Sequence, residues 1–178
     1  AWLNAESSIS FPVAFSSEER LVKVTGEVYF EIAKNEKLPF RVNISDDATI
    51  EVLGTHFNVN AYNAKLQTTL LEGSVKLLQH EQSPVTLKPG QQAQVGGGIR
   101  IVDDVDLEKV MAWKNGLFNF DGAGVEEVMQ QLQRWYDVEV RYEGAPPKRE
   151  FRGALSRNLD WQEMLQVLTK MKIQYVIK

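Results

Sequence analysis

From Ile9 to Val102 the apolar residues of this chain recur at every second position, and beyond Asp103 at every third or fourth. That change of period requires two differently built lobes. Alternation marks half-buried strands, whereas a 3.6-residue repeat marks a helix with one buried face. In the first stretch Val22 and Val24 alternate, followed by Val28, Phe30 and Ile32, then Phe40, Val42 and Ile44. Ile50 with Val52, Phe57 with Val59, Val75 with Leu77 and Ile99 with Ile101 continue the pattern. Turn residues separate these runs: Asp46-Asp47, Gly54-Thr55, Lys88-Pro89-Gly90 and Gly96-Gly97-Gly98. Pro89-Gly90 suits the two central positions of a type II turn, the second of which needs a positive φ. About ten short strands in ~100 residues predict an all-β lobe over residues 1–104, a sandwich, a roll or a short β-solenoid.

Residues 105–178 read differently. Val125, Val128, Met129, Leu132 and Trp135 fall on one helix face, with Glu126, Glu127, Gln130, Gln131 and Arg134 opposite. A second stripe runs through Trp161, Met164, Leu165, Leu168 and Met171, with Asn158 or Asp160 placed to cap it. The two stripes align at an offset of 36, and the strand-like runs after them at 35, Val138 on Ile173 and Val140 on Tyr175. Strand-like GLFNF and VEVRY flank the first helix; EFRGAL and IQYVIK flank the second. Two tandem βαβ copies predict a small α+β domain of βαββαβ, split-βαβ, type. If its strand order is ferredoxin-like, the sheet edges are Val138–Tyr142 and 173–178. The backbone of Val138, Glu139, Val140, Arg141 and Tyr142, and of Ile173, Gln174 and Tyr175, is therefore the expected partner-binding site. Unpaired N–H and C=O groups on such an edge accept a further strand.

Catalytic chemistry finds little to stand on. The 178 residues contain no cysteine, which excludes disulfide frameworks, thiolate zinc sites and cysteine nucleophiles. His56 and His80 are the two histidines and lack partners at ligand spacing, so neither metal nor cofactor is expected. No nucleophile elbow, His-Glu-x-x-His helix or phosphate loop occurs. Glu27 and Glu31 flank Tyr29, but i and i+4 on a strand lie ~13 Å apart, beyond the roughly 5–9.5 Å of a glycosidase pair. They are expected on a solvated strand face, opposite Val28, Phe30 and Ile32. Asp103-Asp104-Val105-Asp106-Leu107-Glu108 has no calcium-loop register and reads as a linker in which Asp106 starts a short helical turn. The four tryptophans are assigned to packing rather than to a sugar platform. A net charge of −4 without a basic stripe argues against nucleic acid. No apolar run reaches the ~18 residues of a membrane span. The opening Ala1-Trp2-Leu3 has no signal-peptide profile, and the chain reads as a piece of a longer protein.

Several runs carry a family resemblance. VTGEVYFEIAKNEKLPFRV, IEVLGTHFNVNAY, TTLLEGSVKL and LKPGQQAQV, in this order, resemble the FecR-type periplasmic domain of anti-sigma (sigma-regulator) proteins. WKNGLFNFDGAGVEEVMQQLQRWYDVEVRYE resembles the small domain appended to FecR-like regulators of Bacteroidetes-type bacteria, itself similar to the short N-terminal (STN) domain of secretins and TonB-dependent receptors. The resemblance implies a non-enzymatic sensor. Its periplasmic part reads the signalling domain of a TonB-dependent outer-membrane transporter; a separate segment across the inner membrane holds an extracytoplasmic-function (ECF) sigma factor. The rival reading from the residues alone is a carbohydrate- or ligand-binding β-module, and after it a hydrolase with carboxylates brought together by folding.

Overall fold

The computed structural model describes residues 1–45, 48–62, 66–80 and 82–177, so the Asp46-Asp47 turn lies outside the described residues. The chain divides into two compact units, Ala1–Lys114 and Asn115–Lys178.

The first unit holds β1 (Trp2–Leu3), β2 (Ser8–Ser10), β3 (Arg20–Ile32), β4 (Phe40–Ser45), β5 (Ala48–Val52) and β6 (Thr55–Ala61). Then follow β7 (Leu66–Glu72), β8 (Val75–Gln79), β9 (Val85–Leu87), β10 (Gln92–Gly96), β11 (Gly98–Val102) and the short helix α1 (Leu107–Met111). The strands are ordered β11-β10-β7-β6-β3-β4-β5-β8-β9, with β1 and β2 also on β3. Among the described residues only β3–β4 is parallel; all other pairs are antiparallel. Of the architectures the alternation allowed, this is the roll or sandwich rather than the solenoid.

Strand β3 makes the roll. Its first half pairs with β2 and β4, its second half with β1 and β6. A straight 13-residue strand would carry Ile32 ~40 Å from Arg20. Phe40 nevertheless lies beside Arg20, and the eight steps from Ile32 span at most about 28 Å. β3 must therefore bend. Gly26 sits between the halves with φ of 75°, and a Cβ there would meet Ser7 Oγ at 2.4 Å and Glu6 O at 2.8 Å. Only glycine serves that position. The bent sheet closes over one core in which Val24, Val28, Phe30, Ile50, Phe57, Leu70, Leu77 and Leu87 are fully buried. Each such side chain contributes about 1.5–3 kcal/mol of burial. Elsewhere the turn chemistry holds: Gly90 has φ of 84° after Pro89, and Gly97 turns β10 into β11.

The first unit runs on through Lys114, past the 104/105 division read from the change of period. Asp106 caps α1 by accepting from the Lys109 N–H, and Met111 and Ala112 are buried.

The second unit comprises β12 (Leu117–Asn119), α2 (Val125–Tyr136), β13 (Ala154–Ser156) and α3 (Trp161–Lys170). Both helices stand where the stripes placed them. Asp160 caps α3 in a capping box: its side chain accepts from the Glu163 N–H, and Glu163 accepts from the Asp160 N–H. α2 ends on Asp137, left-handed at φ 53°. Phe118, Phe120, Val128, Leu132 and Met164 fill a separate core.

The four-strand βαββαβ sheet is a correction. Its first and third strands exist and pair antiparallel, Leu117 with Ser156, Phe118 with Leu155 and Asn119 with Ala154. The second and fourth do not: among the described residues Val138–Tyr142 and Ile173–Ile177 belong to no ladder. Alternating side chains choose a buried face, but a strand also needs a neighbour to receive its N–H and C=O groups. In this unit β12 and β13 take each other.

Candidate functional site

The sequence placed the site on 138–142 and 173–175. Val138 and Val140 are half-buried while Glu139, Arg141 and Tyr142 are exposed, so side chains still alternate without a ladder. Glu139 and Arg141 point the same way: Arg141 Nε lies 2.9 Å from Glu139 Oε1 and both side chains are at least 70% exposed. Val140 and Ile173 pack against the second core. Beyond them Gln174, Tyr175, Val176 and Ile177 are exposed, Val176 at 78%. Val138 N and Ile173 N close the preceding helices by donating to Gln133 O and Leu168 O. From 139 to 142 and 174 to 177 no backbone hydrogen bond forms among the described residues. Tyr175 is tied through its hydroxyl to Thr169 Oγ1 at 3.1 Å. Burial, then the Glu126 carboxylate, raises the Tyr142 hydroxyl pKa above its ordinary value.

A second constellation was not foreseen. Glu27 was assigned to a solvated face with Glu31, yet it is only 7% exposed. Its carboxylate accepts from Asn4 Nδ2 at 2.7 Å, Asn58 Nδ2 at 3.0 Å and Asn60 Nδ2 at 3.1 Å. A buried charge is tolerable only when paired or hydrogen-bonded, and these amides meet that need. Asn58 Oδ1 in turn accepts from Trp113 Nε1 at 3.3 Å. Tyr29, on the same face, is 5% exposed, and burial first, then Glu31, pushes its hydroxyl up to about 12. Trp2 packs on Tyr29 at 5.5 Å between centroids, and Lys114 Nζ lies 4.4 Å from the Trp2 ring and 4.7 Å from the Tyr29 ring. Lys114 also faces Glu31 at 4.0 Å. So this face of β3 is covered at Glu27 and Tyr29, while Glu31 is exposed as expected. The available signal was Asn58-Val59-Asn60, because asparagine is disfavoured within strands and two at alternate positions need a reason.

Nothing in either constellation assembles catalytic geometry. Glu27 and Glu31 do not converge: one is held by amides, the other faces Lys114. His56 Nδ1 sits 3.2 Å from Glu72. Among the described residues no three His, Asp or Glu side chains gather to hold a metal. The indoles are engaged internally, Trp135 edge-on to Phe118 and Trp161 against Tyr136. No described helix is long and apolar enough to cross a membrane.

Comparison with known proteins matches both units. The FecR protein family model matches residues 1–76, and the FecR C-terminal model matches residues 117–178. The chain belongs to the FecR family. Two crystal structures of a candidate anti-sigma factor from Parabacteroides distasonis, at 1.65 and 2.50 Å resolution, are similar to this FecR-family chain. In each the TM-score is 0.81 at 27% identity, covering 99% of this chain and 84% of the other. No curated protein sequence matches.

Proposed function

We propose that this chain is the sensing part of an anti-sigma factor, which regulates by protein–protein contact and catalyses nothing. It sits in the periplasm and relays a signal from a TonB-dependent outer-membrane transporter toward an extracytoplasmic-function sigma factor. Membership of the FecR family and similarity over 99% of the chain to a candidate anti-sigma factor support the regulatory role. The observation that carries the docking half is the bare backbone of 139–142 and 174–177 beside exposed Tyr142, Tyr175 and Val176. An extended segment with unused N–H and C=O groups and alternate side chains anchored in a core is a receptor for strand addition.

The test is calorimetric titration of the chain with the signalling domain of the transporter encoded beside it. Binding is expected, and Glu139→Pro or Arg141→Pro is expected to abolish it while thermal unfolding stays nearly unchanged. Proline removes one backbone donor, and at these exposed positions it disturbs no core side chain. Unchanged affinity in both variants removes the 138–142 segment from the interface; no binding by the unmodified chain removes the transporter.

A further inference from the structure

We propose that β1 is a detachable clip on the closing segment of the first unit, so that docking of β1 and anchoring of residues 107–114 are one cooperative event. The proposal stands apart from the identity of the chain's partners.

Neither element holds on alone. β1 contributes two ladder residues, Trp2 opposite Tyr29 and Leu3 opposite Val28, and both side chains are 43% exposed. α1 has five residues, well short of the length at which a helix persists without packing. Beyond the short β1 ladder and the burial of Met111 and Ala112, side chains hold each element, and these anchors are shared. Glu27 takes Asn4 from the β1 side and Asn58 from β6, and Asn58 takes the Trp113 indole from the closing segment. Tyr29 carries the Trp2 ring, and the Lys114 ammonium lies over both rings. Remove β1 and Glu27 loses one of its amide donors while Lys114 loses its nearer ring. Remove the closing segment and Asn58 loses its indole while Trp2 loses its cation. Two weak elements that share their anchor points stabilise each other by equal amounts in both directions.

The consequence is a change of tether. Lys114 closes the first unit and Asn115 opens the second. When the clip opens, the chain from Asp106 to Lys114 is released, while Asp103 and Val105 stay bonded to Gln91 and Gly90; the reach of such a segment grows with each residue freed. A competing strand along the edge of β3, or tension on the chain at Trp2, therefore acts on the tether.

Hydrogen–deuterium exchange on the full chain tests this. In the double variant Trp2→Ala/Asn4→Ala, which leaves residues 107–114 unsubstituted, the amides of 107–112 are expected to exchange about tenfold faster, together with the amide at position 4. Amides of β4, β5 and α3 should keep their rates. The converse double variant, Trp113→Phe/Lys114→Met, is expected to accelerate the Asn4 amide, which donates to Glu27 O at 2.9 Å. Amides of 107–112 that keep their rate while residues 1–4 fray would overturn the coupling, as would an unmoved Asn4 amide in the converse variant. If the β4–β5 controls also accelerate, Asn4→Ala and Lys114→Met alone are read at the same amides by the same criterion.

Discussion

Glu27 shows what one residue adds to this fold. Glu27→Ala leaves the side-chain amides of Asn4, Asn58 and Asn60 in a covered site without their shared acceptor. A loss of about 2–4 kcal/mol is expected in denaturant unfolding. Glu31→Ala, which breaks a half-exposed pair with Lys114 and the interaction with the Tyr29 hydroxyl, should cost under about 1 kcal/mol. The strand parity at Glu27 was readable, since it does lie opposite Val28 and Phe30. Its cover was not, because that cover comes from positions 23 residues back and 31 or 33 residues ahead. Tyr29 adds a pH signature. Its hydroxyl is pushed up to about 12, so the neutral phenol is preferred in the folded chain. The stabilisation it gives is full below the unfolded pKa of about 10 and is lost as pH rises from there toward 12. Urea midpoints above pH 10 should therefore fall less steeply in Tyr29→Phe. By phenolate absorbance Tyr29 should be among the last of the five tyrosines to ionise.

At the scale of elements, helices were more legible than strands. The stripes of α2 and α3 are local, and Asp160 caps α3 with the box that Glu163 completes. Asp160→Ala should cost about 1 kcal/mol in the unfolding of the second unit. Asp137→Gly should do the reverse, adding a few tenths to about 1 kcal/mol, because Asp137 holds a left-handed conformation that glycine adopts freely. Both follow from denaturation monitored by helix circular dichroism. The strands of the second unit divide by partner rather than by pattern. GLFNF and FRGAL meet as β12 and β13; VEVRY keeps alternation and IQYVI is exposed past Ile173, and among the described residues neither finds a ladder. Hydrophobic periodicity sees the side-chain face; it does not see the neighbour along the hydrogen-bonding direction. In the first unit, where every alternating run has an adjacent run to pair with, period and structure agree.

At the scale of the molecule, the two units have separate cores with no residue in common. The change of period announced two lobes but put the division at 104/105, because residues 105–114 carry no strand pattern. Their attachment to the first unit is made by the Val105 N–H on Gly90 O, by buried Met111 and Ala112, and by Trp113 and Lys114. A fragment ending at 104 is therefore expected to unfold at lower denaturant than one ending at 114, by urea titration of the two side by side. Docking through the second unit remains the claim on which the functional reading turns. The most direct measurement is an amide NMR titration of the labelled full chain with the unlabelled signalling domain of the neighbouring transporter. The account predicts that shifts and slowed exchange concentrate at 139–142 or 174–177, where the backbone is now unbonded. Perturbation confined to Ala1–Lys114, or none at saturating partner, would contradict it.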